Sequence, residues 1–136
     1  MANFIEFDEG KDYEKASGWP STVYFLLSTR GVAAGTQHAH GDTLAGGVGE
    51  ITGTGYSRKN QSRPSTSAGL MTFTLMSWAT SSATDWPSGV RSVVAATTAD
   101  NSGKALAAWD LIAPSGAARD LSQASTTENV TPSFQK

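Results

Sequence analysis

Apolar residues in this chain fall into short runs separated by stretches rich in Gly, Ala and Ser. Ser21 to Thr29 (STVYFLLST) is β-branched and aromatic, bounded by Pro20 and Gly31. Val23, Phe25 and Leu27 share one face of such a strand, and Tyr24 and Leu26 share the other. Both faces are apolar, which predicts a central strand buried on both sides. Leu70 to Trp78 (LMTFTLMSW) sets Met71, Phe73 and Leu75 against Thr72 and Thr74, the clearest alternation in the chain. Val90 to Thr98 and Lys104 to Ile112 flank Ala99 to Gly103, a turn of Asp, Asn and Gly that predicts a hairpin. Lys104 to Ile112 (KALAAWDLI) contains good helix formers. It is nonetheless short and set between Asn101-Ser-Gly103 and Pro114-Ser-Gly116, so a strand is expected.

Weaker signals complete the pattern. Glu50 to Arg58 (EITGTGYSR) reads as a strand loosened at Gly53 and Gly55, followed by a polar loop from Lys59 to Ala68. Ala118 to Gln123 reads as a short strand, and Glu128 to Phe134, with Pro132 inside it, as an edge strand. Gly31 to Gly49 predicts a loop far longer than the usual ~4–6 residues. Six or seven short strands with turns between them predict an all-β domain over 21–136, a β-sandwich or jelly-roll-like fold. Residues 1–20 hold about a third of the charged residues and no strong period, which predicts an extended N-terminal arm with at most a short turn of helix, ending at Gly18-Trp19-Pro20.

Composition sharpens this reading. In 136 residues there are 17 Ser, 16 Thr and 19 Ala but only 23 Leu, Ile, Val and Phe together. So small a supply of large apolar side chains implies that further surface is buried against copies of the chain or against other chains. No apolar run approaches the ~18 residues of a membrane span, and no signal-peptide pattern opens the chain. With 0 Cys, disulfides, thiolate metal sites and cysteine nucleophiles are excluded. A net charge of −2 argues against nucleic acid as a direct partner, because phosphate binding needs clustered cations.

Candidate chemistry is sparse. His38-Ala-His40-Gly-Asp42 could bring two imidazoles and a carboxylate to one metal ion, as in metallo-β-lactamase-like hydrolases. The chain has only 2 His, so the expectation is a solvated loop or a subunit contact, with no metal and no cofactor. A Ser/His/Asp triad would have to draw on the same histidines. Glu50, Asp85, Asp100 and Asp110 could supply a glycosidase pair, but nothing in their spacing selects two of them. Arg58 to Arg63 is the densest basic stretch and reads as a solvated turn. Trp78 and Trp109 fall inside strand patterns and belong to the core. Trp86, in Asp-Trp-Pro, is the candidate for an exposed aromatic, either an interface anchor or a plug over one end of the fold.

The Glu50-Ile-Thr-Gly-Thr-Gly-Tyr-Ser-Arg58 segment, following a VYFLL strand, resembles small virion structural proteins of tailed bacteriophages of the minor tail or tail-fibre type. Phe73 to Trp78, Val90 to Ala99, Asn101-Ser-Gly103 and Leu106 to Leu111 continue the resemblance, which covers residues 21–134. The His-x-His loop and the charged N-terminal segment depart from that family's pattern. The resemblance implies a non-enzymatic component of the virion, assembled in the host cytoplasm, that binds other virion proteins as a minor tail or capsid decoration subunit. It implies a homo-oligomer, such as a trimer, without direct contact to nucleic acid or membrane. Candidate interface residues for such binding are Phe4, Phe7, Tyr13, Trp19, Tyr56, Arg58 and Trp86. Two other classes remain open: a carbohydrate- or receptor-binding module using Trp86, Tyr56 and the long loop, and a hydrolase using His38, His40 and Asp42.

Overall fold

The computed structural model describes residues 4–16, 18–32, 37–45, 47–65, 70–111 and 118–135. The fold is mostly antiparallel β. Its elements are β1 (Phe4–Glu6), α1 (Asp8–Ala16), β2 (Thr22–Ser28), β3 (Lys59–Ser62), β4 (Leu70–Thr72), β5 (Met76–Ala79), β6 (Ser92–Ala96), β7 (Ala105–Asp110), β8 (Thr127–Val130) and β9 (Ser133–Gln135). A five-stranded sheet runs in the order β1-β7-β6-β2-β3, and two short pairs, β4-β9 and β5-β8, stand apart from it.

The expected two-faced strand is β2, flanked by β6 and β3. Val23, Phe25 and Leu27 enter one core with Val93, Ala95, Ala107 and Trp109, while Leu26 enters a second core with Val94, Ala96 and Ala108. The first core is closed from outside the sheet by Met71, Phe73, Met76 and Trp78 of the β4–β5 region. The second is closed by Phe7, Leu44 and Val48, which lie in no strand. The predicted hairpin is β6–β7, and Ala105 to Asp110 extends as a strand whose side chains divide between the two cores. Ala95 pairs with Ala107 and Ala96 with Ala105, so Leu106 is the extra residue of a bulge and turns into the first core. Ile112 and the Pro114–Gly116 turn signal lie outside the described residues.

Several expectations are corrected. Leu70 to Trp78 is two strands rather than one: the alternation slips a residue, so that Met71, Phe73, Met76 and Trp78 all point inward while Thr74 and Leu75 both point out. Leu75, expected on the buried face, is 63% exposed. Glu50 to Arg58 forms no strand. After a single bridge between Ser28 and Glu50 it turns, with Tyr56 N–H donating to the Gly53 carbonyl at 3.1 Å and Gly55 at φ +79°. A side chain at Gly53 would sit 2.3 Å from the Trp86 ring, so only glycine lets Trp86 in. The polar stretch expected as a loop begins with β3, an edge strand whose residues show no hydrophobic alternation because they have little to bury. Ala118 to Gln123 contributes only the bridge between Arg119 and Val90, and Glu128 to Phe134 is split into β8 and β9 at Thr131-Pro132.

The N-terminal segment is not an extended arm. Phe4, Ile5 and Glu6 pair with Trp109, Ala108 and Ala107, completing the edge of the large sheet. Phe7 is fully buried, and its N–H donates to the Leu106 carbonyl at 3.0 Å. Helix α1 carries Asp8 and Glu9 in its first turn and Lys15 in its last, as the helix dipole favours. It packs so close to β7 that a Cβ on Gly10 would meet the Leu106 carbonyl oxygen at 2.2 Å. Gly18, at φ +90°, ends it by returning its N–H to the Tyr13 carbonyl.

This docking places the Glu6 carboxyl beside that of Glu14. Burial, and then the hydrogen bond and repulsion from Glu14, push Glu6 up to about 8. The folded chain therefore keeps a proton that the unfolded chain releases near 4.5. Stability from this group is complete below that value, falls as pH rises toward 8, and levels off above it. Glu6→Gln is expected to remove this part of the pH slope in urea unfolding, and an unchanged slope would contradict the assignment.

Candidate functional site

The structure brings together more of the His-x-His-x-Asp loop than a solvated segment would show. His38 is buried and packs edge-on against Phe7, with ring centroids 5.5 Å apart. Its Nε2 lies 2.9 Å from Ser92 Oγ at the start of the central strand β6, and its Nδ1 lies 3.8 Å from Asp42 Oδ2. Ser, His and Asp thus stand in the order of a hydrolytic triad. The hydrogen bonds assign them other work. Ser92 Oγ donates its proton to the Arg30 carbonyl at 2.6 Å, so its lone pair must receive Nε2–H from His38. Nδ1 is then bare, and it makes no hydrogen bond. A triad needs the reverse on both counts: a hydroxyl proton aimed at Nε2, and Nδ1–H aimed at the carboxylate. Ser92 is also fully buried, leaving no face for an acyl group.

What the trio does is fasten the loop. Asp42 accepts the Ala39 N–H at 2.9 Å and a 3.4 Å contact from Arg30, while His38 N–H donates to the Gly31 carbonyl at 2.9 Å. His40 is exposed, with Nδ1 3.2 Å from the Glu6 carbonyl, and does not join His38. Among the described residues no three His, Asp or Glu gather as a metal site. Burial drives His38 down to about 4, against the opposing pull of Asp42, so the ring is neutral near pH 7.

The Glu50–Arg58 segment is a second fastening. Arg58 Nε and Nη2 donate to the two Glu50 oxygens at 2.9 and 2.7 Å, a bidentate fork. Its remaining donors reach the Thr98 and Asp100 carbonyls at 3.1 and 2.6 Å and Asn101 Oδ1 at 2.6 Å. Tyr56 OH donates to Glu50 Oε2 at 2.8 Å and accepts the Leu27 N–H at 3.1 Å. The chain thereby ties the β6–β7 turn to the strand β2. The pull of Glu50 holds Arg58 above its ordinary pKa, and burial first, then Glu50, raises that of Tyr56.

The other singled-out residues are likewise spent on the scaffold. Asp85 accepts the Thr54 N–H and hydroxyl, which hold its carboxyl below the usual range. Asp100 caps its own turn through Ser102 and is lowered by those bonds. Asp110 accepts the Val32 N–H at 2.7 Å. Phe7, Trp19 and Trp86, named among the candidate interface residues, are buried within the single chain. Trp86 donates Nε1–H to the Thr54 carbonyl at 2.8 Å and stands edge-on to Tyr56, so it plugs the fold and offers no face to a sugar. Phe4 lies half-buried against Trp109 at 5.1 Å, and Tyr13 and Tyr56 are half-buried against the first core. Of the basic stretch, Arg58 and Arg63 hold the fold, Arg63 by donating to the Trp19 carbonyl, while Lys59 is exposed on β3.

Sequence reasoning missed the Ser92–His38 pairing, 54 residues apart, because no local pattern announces it. Among the described residues no helix is long and apolar enough to cross a membrane. His38 is neutral in the fold but free to charge at 6.5 when unfolded. Its contribution is thus present above 6.5 and lost as pH falls toward 4, opposite in sign to that of Glu6. His38→Ala is expected to cost about 1–3 kcal/mol at pH 7, from the stranded Ser92 and the lost packing. It should also flatten the loss of stability between pH 6.5 and 4. Urea titrations over that range check both, and an unchanged acid limb would contradict the burial of the ring. No family model, curated protein or solved structure matches this chain.

Proposed function

We propose that this chain is a non-enzymatic structural protein of a tailed-bacteriophage virion, a minor tail or capsid decoration component that stabilises the particle by binding its neighbours. The observation that carries this reading is the use to which its reactive side chains are put. His38, Asp42, Ser92, Glu50, Tyr56 and Arg58 all act as internal fasteners, several of them within the segment on which the resemblance to phage virion proteins rests. A scaffold that commits its polar side chains in this way has surface left for binding, supplied here by strand edges and by an exposed Leu75.

The fold we propose for this role is sandwich-like. The β4–β9 and β5–β8 pairs act as a second layer over the large sheet, since Met71, Phe73, Met76 and Trp78 share a core with Phe25, Val93 and Trp109. The small supply of large apolar residues fits a protein that completes its burial in an assembly, as a homo-oligomer or against other virion proteins.

Counting the chain in purified particles by quantitative mass spectrometry tests the proposal. Copies in the hundreds are expected for a capsid decoration role and a few copies for the tail. Absence from the particles would overturn the reading.

A further inference from the structure

Strand β3 is the last strand of the large sheet, and β5 is paired on one side only, with β8. Among the described residues neither has a strand on its other side. These two edges border one open groove of about 600 Å³, walled by residues 57–61 and 74–77. They run antiparallel to one another. Trp78 Nε1 donates to the Ser57 carbonyl at 2.9 Å at one end, and Gln61 meets Thr74 at the other. The Gln61 contact has a form that matters. Its amide oxygen accepts the Thr74 N–H at 2.9 Å, and its amide nitrogen donates to the Thr74 carbonyl at 2.8 Å. A side-chain amide thus sits where a neighbouring strand would place a peptide group. Side chains hold the two edges in register without a backbone ladder closing the space between them.

The groove also has a charge and an anchor. Its walls contain Arg58 and Lys59 and no carboxylate. Arg58 is neutralised by Glu50, which leaves the exposed Lys59 as the cation facing an occupant. Lys59 is opposite Phe25 in the β2–β3 register, and Gln61 is opposite Val23, so both project toward the face covered by β4 and β5. An inward-pointing lysine on an edge strand repels indiscriminate pairing, because a strand laid there must compensate it. Leu75, on the opposite wall, gives an apolar side chain something to pack against.

We propose that the groove between β3 and β5 takes up an extended strand of a partner protein, paired to the β3 edge and carrying a carboxylate against Lys59 and an apolar side chain against Leu75. This names the contact surface of the function proposed above and rests on that reading for the partner. A second copy of this chain is the poorer occupant. Its own β3 (KNQS) has no carboxylate to bring to Lys59, and its acidic β1 is already paired with β7. Backbone pairing supplies affinity in such strand addition and the alternate side chains supply selectivity.

The test is selection of linear eight-residue peptides from a random display library on the intact protein. Selected sequences are expected to alternate apolar or β-branched residues with Asp or Glu. Their binding should shift the amide resonances of residues 57–61 and 74–77. Lys59→Glu should weaken them about tenfold or more and restore binding when the peptide's acid is exchanged for lysine. Leu75→Ser should weaken them without that charge reversal. Both positions are exposed, and an unchanged thermal transition confirms that each variant folds. Failure to select any peptide, indifference to Lys59→Glu, or self-association through this face in sedimentation would each overturn the proposal. Particle copy number can fail while peptide capture succeeds, and the reverse, so the two readings are separable.

Discussion

Strands β2, β6 and β7 are buried on both faces, and the rest of the structure follows from covering them. One face is covered by strand pairs carrying Met71, Phe73, Met76 and Trp78, and these satisfy their own backbone by pairing. The other is covered by irregular chain around Phe7, Leu44 and Val48, which has no ladder of its own. Irregular backbone pressed onto a sheet must find partners for its N–H and C=O groups, or it forfeits on the order of 1–3 kcal/mol for each one stranded. The buried polar side chains meet that demand. Ser28 donates to the Val48 carbonyl and accepts the Arg30 N–H, Ser92 donates to the Arg30 carbonyl, and Asp110 accepts from Val32. His38 then closes the set by holding Ser92.

The same logic explains why a motif with the residues of chemistry, close together in the fold, lacks the proton arrangement that the chemistry needs. His38 and Asp42 are four residues apart on a tight loop, and Ser92 is delivered from the sheet beneath them. Proximity follows from packing. The proton positions follow from the carbonyl of Arg30, which takes the serine's hydrogen and so dictates the tautomer of the imidazole. The Glu50–Arg58 fork behaves in the same way: its donors are divided between a carboxylate and three oxygens of the β6–β7 turn, leaving little of the guanidinium for a partner.

Legibility in the sequence tracked burial. Val23 to Leu27 and the β6–β7 hairpin were readable because side chains meet a core on both faces, which writes short unbroken apolar runs bounded by turn residues. Strand β3 was not, because Lys59 to Ser62 form an edge with little to bury. Strand β1 was not, because three residues carry no period and their pairing with β7 spans about a hundred residues of chain. The slip at Thr74-Leu75 hid inside an apparently regular alternation, since what interrupts it is the amide of Gln61, thirteen residues away. Trp86 read as exposed because Asp-Trp-Pro is a loop sequence. Its burial depends on the empty side of Gly53, a relation between residues 33 positions apart.

That the polar motifs are fasteners is tested most directly by amide hydrogen exchange on Arg58→Ala. Removing one partner of a largely buried ion pair should lower global stability by about 3 kcal/mol. Protection should be lost first at Leu27, Gly103 and Lys104, while the Val93–Ala95 centre of the sheet exchanges last. A variant whose turn and Leu27 amides stay as protected as in the parent, with unfolding unchanged, would contradict the account and return Arg58 to the surface as a binding residue.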